Sequence, residues 1–212
     1  MNPTIMALAG SASLLPAAIG VFRFAKLSSA MKAYALLCVL SSLEIAAEFT
    51  FAFYHHNGII VSNIALGVET IFITAVYAIA FNIKIVRGTM LALGATFALI
   101  WVPGSIVIQD PGQFNQAMAI ASRIFILVTS VIALYTVATR TAASLTDESL
   151  FWITTGNILY ASGLIFLLAV SNDLLALSPP YYTAAWDLNW SLIILADVLF
   201  AKGLMCRSTS QT

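Results

Sequence analysis

The chain has 212 residues, of which 61% are hydrophobic and only 8% charged, whereas an ordinary globular protein carries about 25% charged residues. Nine Lys plus Arg balance nine Asp plus Glu, so the basic surface that attracts phosphate is missing and no nucleic acid is expected as a partner. With two cysteines and a mean hydropathy of +0.97, neither a disulfide-stapled secreted fold nor a disordered chain fits, and the expected surrounding is a lipid bilayer.

A bilayer core about 30 Å thick needs roughly 20 apolar residues in helical form. Seven runs meet this length: Ile5 to Phe22, Ala33 to Tyr54, Ile59 to Phe81, Thr89 to Ile108, Phe114 to Thr139, Leu150 to Val170 and Ala184 to Met205. They are continuously apolar, where barrel strands would alternate. The expected class is therefore all-α, a single seven-helix transmembrane bundle spanning the chain. The longest break, Asn172 to Thr183, leaves no room for a soluble domain between helices, so any chemistry is expected inside the bundle.

The first run has small residues of the kind that precede a cleavage site, Gly10 to Ser13, but no Lys or Arg precedes it and three follow it. A signal peptide has the opposite charge order, so this helix is expected to be retained. Pro16 interrupts it, as Pro103 interrupts the fourth, and a packing kink is the simplest expectation for each. In the second helix Glu44, Glu48, Phe51 and His55 fall on one stripe, at offsets of four, seven and eleven residues. His55, at the mouth of that stripe, is a proton acceptor near neutral pH, while His56 is turned to another face. Cys38 reads as a small buried hydrophobe. The third helix adds Glu69 and the fifth Arg123.

The sixth helix places Asn157 and Tyr160 one turn apart, at a depth where they can hydrogen-bond to Asp197 of the seventh. It also carries Phe151, Trp152, Gly156, Tyr160, Ser162 and Gly163, and in this it resembles small, largely uncharacterised bacterial seven-helix membrane proteins. That resemblance implies the same helical layout and a bacterial inner membrane, and it transfers no residue role. Gly156 and Gly163, seven apart on one face, are expected to let helices approach closely.

In the seventh helix Asp197 and Lys202 invite comparison with microbial rhodopsins. Five residues put them about 140° apart around the helix, not one turn apart, and Lys202 is explained by snorkelling to the interface. No retinal or other cofactor is expected. Tyr181, Tyr182, Trp186 and Trp190 read as an interfacial aromatic belt, or else as part of a loop lid that starts at Pro179 and Pro180, with Asp187 and Asn189 beneath it.

Arg23, Lys26, Lys32, Lys84, Arg87, Arg140 and Arg207 all fall on alternate connections or in the tail, and the remaining connections have no Lys or Arg. The positive-inside rule then places the N-terminus outside and the C-terminus in the cytoplasm.

Charged groups at membrane depth mark function by default. Counting from the outer helix ends at about 1.5 Å per residue, Glu48 lies roughly 9 Å deep, and Glu44, Glu69 and Arg123 about 14 to 15 Å deep. Three carboxylates against one guanidinium in one layer require neutralisation, by protonation or by a cation. No metal site is expected, since there is no HExxH pattern and no second histidine on the stripe. The residues so far define an outward-facing acidic chamber of Glu44, Glu48, Glu69, Arg123 and His55, with Asp197, Asn157 and Tyr160 as a second patch below. The expected function is binding of a small molecule or cation, or sensing of protonation, with signalling through a cytoplasmic partner and no catalytic residue. A small proton-coupled transporter is the alternative, while an intramembrane hydrolase lacks a visible nucleophile and base.

Overall fold

A computed structural model describes residues 3–54, 59–106, 115–140, 144–176 and 179–206. Seven helices form there: α1 (Pro3–Arg23), α2 (Ser29–Phe53), α3 (Ile59–Ala80), α4 (Lys84–Ile106), α5 (Gln116–Arg140), α6 (Ser149–Ala176) and α7 (Pro179–Met205). Short 3-10 turns at Phe24–Lys26 and Leu145–Asp147 are the remaining regular elements, and no strand occurs among the described residues. Each of the seven helices contains a stretch long and apolar enough to cross a membrane, so the chain is a multi-pass helical membrane protein.

The helices outrun the apolar runs that announce them. Lys84 and Arg87 lie in the first turn of α4 and Lys32 in the first turn of α2, because hydropathy marks where lipid begins while backbone hydrogen bonding continues into the headgroup layer. The largest departure is the stretch from Asn172 to Thr183, expected as a connection but helical except at 177–178, which lie outside the described residues. Pro179 opens α7, a position where its missing N–H costs nothing and its fixed φ suits the first helical turn. The lid loop expected at Pro179 and Pro180 is therefore the start of a helix.

Side-chain contacts define the two ends of the bundle. At one end Arg23 donates to the carbonyl of Leu204 at 2.8 Å, Trp152 donates to Thr146 at 2.8 Å, and Lys202 sits 6.0 Å from the centre of the Trp152 ring. Ser28 caps α2 by accepting from the Met31 N–H. At the opposite end Asn115 caps α5 by accepting from the Met118 N–H at its side-chain oxygen, donates its own backbone N–H to the side-chain oxygen of Asn63, and donates its side-chain amide to the Gly104 carbonyl. One asparagine so ties α3, α4 and α5 together.

Helix neighbours close a ring in the order α1, α2, α3, α5, α6, α7 and back to α1. α4 stands outside it, packed on α3 and α5. Its buried positions, Met90, Gly94, Phe97 and Gly104, recur at helical spacing on one face. Within the ring, the basic half is filled solid: Met31, Tyr77, Phe81, Ile153 and Leu204 belong to one apolar cluster and are essentially inaccessible. The α6–α7 seam is close because both glycines expected there face α7, Gly156 against Phe200 and Gly163 against Leu192.

Candidate functional site

Above that solid half, the ring encloses a cavity of about 400 Å³ lined by all six of its helices and by no residue of α4. Two walls follow from helical periodicity. α2 contributes Tyr34, Leu37, Cys38, Ser41, Glu44, Ile45 and Glu48, and α7 contributes Trp186, Asn189, Trp190, Ile193, Ala196, Asp197 and Phe200. In both helices these residues fall at offsets of 3, 4, 7, 10, 11 and 14 from the first, the pattern that keeps one narrow face of a helix pointed at one target. α3 adds Ser62, Leu66, Glu69 and Ile73, and α6 adds Asn157, Tyr160, Leu164 and Leu168.

The charge centre is an ion pair between Arg123 of α5 and Glu69 of α3, with 2.8 Å between nitrogen and oxygen. Arg123 is only 6% exposed, and its guanidinium also lies 5.0 Å from the centre of the Tyr160 ring on α6. A cation held by a carboxylate and an aromatic face from two other helices orders three helices at once. Its Nε is buried without a hydrogen-bond partner. Glu48, nearer the end opposite the basic one, accepts a short hydrogen bond from Ser62, which links α2 to α3. Neutral polar contacts support the same walls: Thr70 and Ser122 at 2.7 Å, Tyr77 and Ser130 at 2.9 Å, and the Ser42 hydroxyl donating to the Ser13 carbonyl of α1 at 2.9 Å.

The eight residues expected to form the site are treated unevenly by the structure. Glu44, Glu48, Glu69, Arg123, Asn157, Tyr160 and Asp197 all line this one cavity together. His55 lies outside the described residues, and Phe51, although on the expected stripe, does not line the cavity. The two stacked patches merge into one, because α7 faces the same space as α2 along its length. The hydrogen bonds expected from Asn157 and Tyr160 to Asp197 are replaced by others. Asn157 donates to the Tyr77 hydroxyl at 2.8 Å, Tyr160 offers its ring to Arg123, and the Asp197 Oδ2 is buried with no hydrogen-bond partner. Asn157 faces α3, whose Tyr77 competes successfully for its amide.

Trp186 and Trp190 are wall residues as well as aromatics near a helix end, and Asn189 sits between them on the same face. Their spacing to Asp197 and Phe200 was the available signal, one that an interfacial belt reading passes over. The side chains of Tyr181 and Tyr182 lie outside those described. At the floor, Tyr34 and Phe200 meet edge to face with centroids 5.4 Å apart.

Among the described residues, four carboxylates and one guanidinium line this space, and no lysine does. Such a site can hold positive charge or exchange protons, and it can donate hydrogen bonds through Ser41 and Trp190. Among the described residues no group of three or more His, Cys, Asp or Glu side chains is arranged to hold a metal ion. Comparison with protein-family models, with curated proteins and with solved structures finds no match for this chain.

Proposed function

We propose that this protein is a non-enzymatic receptor of the cell membrane. In this reading its N-terminus is outside, its C-terminus is cytoplasmic, and the acidic cavity opens outward to a small ligand or to protons. The observation that carries this reading is the division of the helix ring into an acidic cavity on one side and a packed apolar half on the basic side. The basic residues at the packed end fit a cytoplasmic face. A ligand arriving from outside then meets Glu48 before Glu44, Glu69 and Arg123. Its effect passes to a cytoplasmic partner through the ends of α1, α6 and α7, which the Arg23–Leu204 and Lys202–Trp152 contacts join.

A proton-coupled carrier would need a route through the basic half, and Met31, Tyr77, Phe81, Ile153 and Leu204 fill that space. The deciding experiment is a ligand and pH screen by thermal shift on purified protein in nanodiscs, since a ligand that binds only the folded state stabilises it by mass action. Stabilisation that is lost in Glu44→Gln or Asp197→Asn supports the receptor reading. Uptake of the same ligand into vesicles, driven by a pH gradient and abolished in Glu69→Gln, overturns it in favour of a carrier.

A further inference from the structure

Buried polar atoms in folded proteins nearly always have hydrogen-bond partners, so those without one need a reason. α7 carries three such atoms on one face: Asn189 Oδ1, Trp190 Nε1 and Asp197 Oδ2. Asn189 is 7% and Asp197 8% exposed, and all three residues line the cavity. Two of the atoms are acceptors, and one of those belongs to a carboxyl group that pairs with no lysine or arginine among the described residues. Arg123, the one cation lining the cavity among the described residues, is already committed to Glu69 and Tyr160. Around these atoms the wall is aromatic, with Tyr34, Trp186, Trp190 and Phe200. Acid plus aromatic faces is the chemistry that recognises organic ammonium groups.

Resting on the receptor reading above, we propose that the cavity binds an apolar or aromatic organic amine in its protonated form, with Asp197 as counter-ion to the ammonium and the Asn189–Trp190 pair receiving a polar group at the ligand's other end. Asn189 and Asp197 are eight residues apart, which is about 12 Å along a helix. An arylalkylamine bearing a hydroxyl matches this span. The hydroxyl can donate to Asn189 Oδ1 and accept from Trp190 Nε1, while the ammonium donates to Asp197 Oδ2. The cavity of about 400 Å³ falls in the range of small-molecule sites.

Tyramine and its uncharged isostere tyrosol, in which a hydroxyl replaces the amine, test this on the full chain in phosphatidylglycerol nanodiscs. Tyramine is expected to bind saturably and raise the unfolding temperature, with tyrosol at least tenfold weaker. Asp197→Asn is expected to weaken tyramine at least tenfold, about 1.4 kcal/mol, and to weaken tyrosol much less, because an asparagine oxygen still accepts from a hydroxyl while the charge attraction is lost. Equal binding of the two compounds by the wild-type protein overturns the proposal, and that comparison does not depend on any variant folding. Exchanging the lipid for phosphatidylethanolamine separates two sources of the same ammonium chemistry: undiminished tyramine binding assigns the site to soluble amines, and competition assigns it to a lipid headgroup. If neutral or anionic compounds stabilise the protein and amines do not, the amine inference falls while the receptor reading stands. If no compound of any charge and no change of pH alters its stability, both fall.

Discussion

Neutralising one member of the Arg123–Glu69 pair should be costly, and the two single substitutions should differ. Arg123 is nearly inaccessible and its side chain lies against α3 and α6, whereas the Glu69 side chain keeps 23% of its surface open to the cavity. Breaking a buried ion pair by removing one partner costs about 3 to 5 kcal/mol, because the remaining charge is left without compensation. Arg123→Met strands a carboxylate that cavity water can reach, so its loss belongs at the lower end, about 3 kcal/mol. Glu69→Gln strands a guanidinium that cavity water reaches far less, which places it toward about 5 kcal/mol, less whatever the Tyr160 face retains. The double variant carries neither charge and should be destabilised by less than the sum, with a coupling energy of about 1 to 3 kcal/mol. Equilibrium unfolding of the four proteins in mixed micelles, followed by tryptophan emission, measures the cycle. Losses that simply add, or single losses below about 1 kcal/mol, would refute the idea that this pair is a structural centre of the cavity.

Two further outcomes follow from particular positions. A Cβ added at Gly156 would lie 2.5 Å from the Phe200 ring, so Gly156→Ala should destabilise by about 1 to 3 kcal/mol by overpacking the α6–α7 seam. Gly88→Ala, where a Cβ meets nothing within 4 Å, should be neutral or gain about 0.5 to 1 kcal/mol as an ordinary helix-interior exchange; equal effects at the two sites would show that the seam is not tight. Cys206 follows the last turn of α7, and burial raises its thiol above the usual value, an effect the Lys202 ammonium opposes. Less thiolate is then present at neutral pH, so a membrane-impermeant maleimide should react more slowly than with a free thiol and gain rate at a higher pH. In the proposed orientation it reacts only from the cytoplasmic side, whereas Cys38, buried within α2, reacts only after unfolding; labelling of Cys206 from outside would reverse the topology.

Much of the cavity is legible in the amino-acid sequence. Glu44, Glu48 and Glu69 could be grouped with Arg123 because charges inside apolar runs are rare and their depths follow from a constant rise per residue. The partner choices were not legible. Asn157 and Tyr160 are equally placed by spacing to serve Asp197, and only the neighbouring helices reveal that Tyr77 takes the amide and Arg123 the ring. Trp186 and Trp190 were legible in part: their spacing to Asn189, Asp197 and Phe200 marks a single face, yet their closeness to a helix end makes them look interfacial.

The amino-acid sequence alone determines that seven helices form and roughly where, because each must satisfy its own backbone hydrogen bonds in an apolar medium and a continuous apolar run suffices to say so. The same local reasoning places the basic residues at alternate connections. Which helices touch is a different matter. Lipid tails are as apolar as leucine, so hydropathy gives no preference for one neighbour over another, and association depends on small residues, shape and a few polar contacts between distant parts of the chain. Tertiary structure therefore decided that α4 stands outside the ring, that α3 meets α5 through Arg123 and Glu69, and that α2 and α7 face each other across one cavity instead of holding two separate polar patches.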